Sequence, residues 1–204
     1  MKLKIYLSLA IFICAHAHGY SQNALATVDS KHSLVRKLTI EPGVGIHTNF
    51  GTDFLISNLV QWNPNKRLGL ASYSSFSLNN VTQRDFNHIK TDYNYSLNQK
   101  FGAGTTVYSK KYSHTFFAMV GIKYTAFQET LENPNFNKVS TSINAFSPDY
   151  GMMYSLKRGW KKYFFMARFY LPLSPWLIKG AHIENIQGTL RDTALEFGMG
   201  IKVQ

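Results

Sequence analysis

The chain has 204 residues, a single cysteine, 15% aromatic residues and a formal charge of +11. Its basic residues are scattered in pairs, Lys66-Arg67, Lys110-Lys111, Lys157-Arg158 and Lys161-Lys162, each at an expected turn. That spacing suits anionic lipid headgroups or simply solvated turns, and it argues against nucleic acid as a partner. Cys14 lies in the N-terminal segment, so the rest of the chain has neither a disulfide framework nor a thiolate metal site.

Residues 1–21 have the pattern of a secretory signal. Lys2 and Lys4 precede an apolar run from Ile5 to Ala15, and Ala15-His16-Ala17 and Gly19-Tyr20-Ser21 each offer a small-x-small cleavage site. The run is too short to cross a bilayer as a helix, which takes about 20 apolar residues. Ile13 is too bulky to precede a lipidated Cys14. Cleavage after Ser21 leaves 20 − 11 = +9. Residues 22–36 are expected as a flexible periplasmic lead-in and residues 37–204 as one domain.

That domain alternates with period two, the mark of strands. Leu38, Ile40, Pro42, Val44 and Ile46 face one way, and Thr39, Glu41, Gly43, Gly45 and His47 the other. Pro42 lacks a ladder donor and suggests a bulge or the rim. Similar alternation holds for Phe101–Val107, Phe116–Tyr124, Tyr150–Leu156 and Tyr163–Leu171, with Arg168 on the polar side of the last of these. It is strict at the C-terminus, where Leu195, Phe197, Met199, Ile201 and Val203 alternate with small or charged residues. Weaker strands are expected at Phe54–Trp62, Leu68–Leu78, Thr91–Asn98 and Val139–Ser147. Tight turns are expected at Asn63-Pro64-Asn65-Lys66, Asn98-Gln99-Lys100 and Arg158-Gly159-Trp160-Lys161. Longer connections separate the other strands. The expected fold is an all-β, single antiparallel transmembrane β-barrel of about ten strands, or eight if two weak ones fail, each close to the length that spans a bilayer when tilted.

Two features place the apolar face toward lipid. The polar face is rich in glycine (Gly43, Gly45, Gly102, Gly104, Gly198, Gly200), which a crowded lumen favours and a water-facing strand does not. Aromatic residues fall near strand ends, at Trp62, Tyr108, Tyr124 and Tyr163, as in a membrane girdle. The alternative is a soluble barrel around an apolar cavity.

On the signal, the alternating strands and the terminal strand Leu195–Val203, the chain resembles small bacterial outer-membrane β-barrel proteins over its length from about Leu38 to Gln204. It departs from the many such barrels that end in an aromatic residue, since it ends Lys202-Val203-Gln204. The resemblance implies an outer-membrane location but no single role, because the family includes adhesins, pores, lipid-modifying enzymes and scaffolds.

No catalytic or metal motif is present. The G-x-G pairs lie inside strands, and no histidine spacing matches a metal site. Ser113-His114 and His182 with Glu184 are the nearest approach to a hydrolase pair. No cofactor is expected. Closing the first strand onto the last points to a lumen charge cluster of Glu41, His47, Arg168, Glu196 and Lys202, with Glu41 near Lys202 and both His47 and Arg168 near Glu196. The balance there favours simple charge satisfaction over gating. Pro175, Trp176, Leu177 and Ile178 continue an apolar run into a connection and form a candidate interface patch, with packing over the barrel mouth as the equal alternative. The expected role is a non-enzymatic envelope protein contacting lipid, including anionic headgroups, and a glycan or another envelope protein. A narrow solute pore and an outer-leaflet lipid-modifying enzyme are the alternatives.

Overall fold

A computed structural model describes residues 37–47, 54–78, 89–109, 112–131, 139–159, 162–173, 176–178, 186–188 and 193–203. The expected signal and lead-in lie outside the described residues, as do Pro175, His182 and Glu184. The described residues contain ten strands and no helix: β1 (Leu38–His47), β2 (Phe54–Trp62), β3 (Leu68–Leu78), β4 (Ile89–Tyr108), β5 (Tyr112–Leu131), β6 (Val139–Arg158), β7 (Tyr163–Pro172), β8 (Trp176–Ile178), β9 (Ile186–Gly188) and β10 (Ala194–Val203). Eight of them close an antiparallel barrel in the order β1-β10-β7-β6-β5-β4-β3-β2. β8 and β9 pair only with each other, as a small ribbon in the connection from β7 to β10, and Cα atoms of β8 come within 8 Å of β6.

The barrel is strongly staggered. From Leu38 at the foot of β1, the paired positions run through Trp62, Leu70, Ala103, Ala118 and Met152 to Leu171 near the opposite end of β7. Such a climb around a small barrel requires tilted strands and leaves an interior that side chains can fill. One end carries the short connections β2–β3, β4–β5 and β6–β7, and the other carries the long ones.

Three strands are longer than the alternation suggested. Asn98-Gln99-Lys100 is not a turn, because β4 runs through it and pairs with both β3 and β5. Likewise Ser147 to Tyr150 joins two expected strands into β6. β3 reaches only to Tyr95 on β4, and β7 only to Gly151 on β6, so β4, β5 and β6 continue past the barrel as a three-stranded sheet at the long-connection end. A register shift between Thr91 and Asn94 bends β4 there. Pro148 lies in the part of β6 that β7 does not reach, where a missing donor is tolerated. Pro42 is no bulge either, since Ile40↔Ile201 and Gly43↔Gly198 lie in one register.

The expected turn at Asn63-Pro64-Asn65-Lys66 forms, and of the one at Arg158-Gly159-Trp160-Lys161 only Arg158 and Gly159 are among the described residues. Asn65 Oδ1 accepts from the backbone N–H of Arg67 (2.9 Å) and of Leu68 (2.8 Å), its side chain standing in for a backbone acceptor. Gly159 has φ +112°, which only glycine adopts without strain. Gly159→Ala should therefore destabilise the barrel by about 1–3 kcal/mol, read as a lower urea midpoint of the micelle-folded protein.

Candidate functional site

The side-chain distribution is the inverse of a water-soluble sheet. Phe101, Val120 and Phe165 on the outer wall are 60%, 62% and 65% exposed, whereas Arg168, Glu196 and Lys157 are 1%, 0% and 1% exposed. Charged side chains are almost never buried unless they are paired. Here they meet inside the barrel.

Among the described residues, ion pairs are stacked along the lumen at three levels. Nearest the short-turn end, Lys157 binds Glu41, and its Nζ also donates to Gln61 Oε1 at 2.6 Å, while Thr39 Oγ1 donates to Glu41 at 2.5 Å. In the middle, Arg168 Nη2 lies 2.8 Å from Glu196 Oε2 and donates to Ser57 Oγ at 2.8 Å. Ser57 Oγ and Tyr73 Oη also donate to Glu196, the latter at 2.7 Å. Toward the long-connection end, Lys100 Nζ is 2.8 Å from Asp149 Oδ2, and Asp149 accepts from Asn98 Nδ2 (2.6 Å) and Tyr170 Oη (2.5 Å). Lys100 Nζ lies 3.3 Å from the Tyr170 ring centroid. Its positive charge is therefore shared between a carboxylate and a π face. Each carboxylate thus has several donors, which a buried ion needs if the pair is to offset its desolvation.

Packing holds these charges in place. Leu55, Leu59, Phe117, Met119 and Met153 fill the lumen around them, so the inner face is mixed and not simply polar. Gly43 leaves the space that Arg168 and Met166 occupy: a Cβ there would lie 2.5 Å from Arg168 Nη2 and 2.7 Å from Met166 Cε. Glycine on this face is room for a neighbouring strand's side chain.

The expected cluster is only partly brought together. Arg168 and Glu196 are direct cross-strand partners. Glu41 pairs with Lys157 and not with Lys202, which lies opposite Thr39 on β10. His47 lies opposite Ala194, and Gly45 is the residue facing Glu196, so stagger and not residue count sets the approach. Lys100 and Asp149 escaped the sequence reading because one was assigned to a turn and the other to a gap between strands; Lys157 was placed on the polar face of its strand but was not paired with Glu41. Ser113 and His114 point to opposite faces, Ser113 being buried inside while His114 meets Tyr154 Oη at 2.8 Å, so they form no catalytic pair. Trp176, Leu177 and Ile178 form β8, not an irregular connection. Among the described residues no group of three or more His, Cys, Asp or Glu side chains could hold a metal ion.

The aromatic residues also divide by end and face. Trp62 and Tyr163 point outward at the short-turn end. Tyr108 shares the inward face of β4 with Lys100 and Thr106, so it is not part of a girdle. Tyr124 lies mid-strand on the outer wall with Phe76, Tyr95 and Phe146, the ring centroids being 4.9–6.2 Å apart.

No family model matches the sequence, and no curated protein matches it. Among solved structures, the chain is similar to the N-terminal β-barrel domain of Pseudomonas aeruginosa OprF, with 11% identity and a TM-score of 0.43, covering 83% of this chain and 98% of that one. At that score the likeness carries no inference about role.

Proposed function

We propose that this chain is an outer-membrane β-barrel of the cell envelope, closed to solute flow, that acts as a rigid non-enzymatic anchor. The observation that carries this reading is the inversion of the wall: an apolar exterior around an ion-paired interior. Water would stabilise the reverse arrangement, whereas hydrocarbon stabilises this one, because every strand in a closed barrel has its backbone groups paired. Exposed Lys66, Arg67, Arg158 and Lys162 ring the short-turn end. They are suited to anionic headgroups at that leaflet. The opposite end, with its long connections and the projecting β4–β6 sheet, is the face available to a glycan or another envelope protein.

Closure is testable. Among the described residues, the stacked ion pairs and the apolar side chains between them occupy the interior along which an ion would have to pass. In planar bilayers the purified protein should give no discrete conductance steps. Regular steps in the wild type would instead support a narrow pore.

A further inference from the structure

The short-turn end carries Lys37, Lys66, Arg67, Arg158 and Lys162, and among the described residues its one acid is Glu41, which is buried and held by Lys157. Arg158 and Lys162 each stand over a ring, 5.8 Å from the Tyr112 centroid and 5.9 Å from that of Tyr163. Lys66 and Arg67 meet neither an acid nor a ring among the described residues. They share the lining of a pocket of about 590 Å³ on the outer wall with Asn65, Leu68, Gly104 and Thr105. The turn that carries them is anchored. Asn65 Oδ1 accepts from the N–H groups of Arg67 and Leu68, and the Arg67 carbonyl accepts from the Thr106 N–H at 2.7 Å. The floor is Leu68 and its rung partner Thr105, both facing outward. The next outward residue on β3, Leu70, pairs with the outward Trp62. The floor therefore lies just beyond an interfacial tryptophan, at headgroup depth. From there Leu70 pairs with Ala103 and Ala103 with Ala118, which continue the wall toward mid-membrane.

We propose that this pocket binds one anionic glycerophospholipid, its phosphate at Lys66 and Arg67 and the start of one acyl chain on Leu68 and the wall beyond it. The inference rests on the membrane reading above and deepens it, choosing one site from a basic ring. The two cations are exposed and reach the pocket, and no acid lines it, so the ligand that neutralises them is an anion. A phosphodiester suits the pair: arginine offers a planar fork of donors and lysine a mobile point charge. The Thr105 hydroxyl is a further donor at the floor. A choline headgroup would bring a third positive charge to the same rim, whereas a glycerol headgroup leaves the phosphate charge unopposed. The floor is continuous with the lipid-facing band, which selects an amphiphile over a free phosphate. Ala103 and Ala118, side by side, leave a shallow strip for the chain among the larger Leu70, Phe101 and Phe116.

Phosphatidylglycerol and phosphatidylcholine with the same acyl chains are the probe pair. The protein, folded into equimolar vesicles and extracted in mild detergent, should retain phosphatidylglycerol roughly 30-fold over phosphatidylcholine by native mass spectrometry, about fivefold for each of two cations acting near an anionic lipid. Lys66→Gln with Arg67→Gln should return bound lipid to the bulk ratio. Only side chains at an exposed turn change, and the Asn65 and Thr106 backbone contacts remain, so folding should persist. Arg158→Gln with Lys162→Gln removes the same charge from the same end and should keep most of the enrichment. Bound lipid at the bulk ratio in the wild type, or unchanged enrichment in the Lys66 and Arg67 variant, would overturn the proposal. Equal losses in the two double variants would also overturn it, by making the attraction a property of the whole end. Excess inorganic phosphate should leave the lipid bound, and its displacement would make the pocket a site for a free anion and overturn the lipid assignment. A heat-shifted gel band on the same samples reports insertion: its presence with bulk-ratio lipid overturns the pocket alone, and its absence overturns the membrane reading and the pocket with it.

Discussion

Arg168→Met should cost about 3–5 kcal/mol of stability, the usual consequence of stranding one partner of a buried ion pair. Glu196 would keep the Ser57 and Tyr73 hydroxyls as donors but lose the cation 2.8 Å away. Methionine is chosen because it fills much of the space beside Gly43 without a charge, so the loss reports electrostatics more than a cavity. Adding Glu196→Gln should recover about 1–3 kcal/mol, the coupling expected of residues in one network. Urea unfolding of the micelle-folded single and double variants measures both quantities. A single-variant loss below about 1 kcal/mol would place the pair in solvated surroundings, where ion pairs contribute that little.

Phe197→Arg should cost about 2–4 kcal/mol in phosphatidylcholine vesicles, as a cation placed mid-wall against hydrocarbon does. Phe197 faces outward from β10, between Val44 on β1 and Ala167 on β7, and is 56% exposed. The sign of this result separates the two architectures that the alternation allows. If water surrounded the barrel, replacing an exposed phenylalanine with arginine would stay within about 0.5 kcal/mol of neutral. Reversible unfolding from vesicles, followed by tryptophan fluorescence, gives the difference.

Period-two alternation was enough to place the strands at both ends of the chain, because β1 and β10 each put one face against lumen side chains and the other outside. It was also enough to orient Arg168 and Glu196, which share a face and lie on paired strands. It failed at Asn98-Gln99-Lys100 for a physical reason. These residues have turn chemistry, yet alternate ones find partners on opposite faces: Asn98 and Lys100 on Asp149 inside, Gln99 on Ser72 and Ser74 outside. Local composition cannot show that three polar residues will be satisfied by distant strands. The pairing of Glu41 escaped for a related reason. Lys157 is 116 positions away and approaches only because the rungs climb round the barrel. Neighbouring-strand arithmetic pointed to Lys202, but stagger decides which side chains meet across a narrow lumen. The inward Leu55, Leu59 and Phe117 likewise show that an apolar residue on the expected polar face can pack between ions.

The most direct test of the central claim is heat-modifiability of the protein in an outer-membrane fraction, run on SDS gels with and without boiling. A closed barrel with a lipid-facing wall and an ion-paired, packed interior should resist the detergent, migrate fast unboiled and shift on boiling. A single unshifted band in the soluble fraction would contradict it.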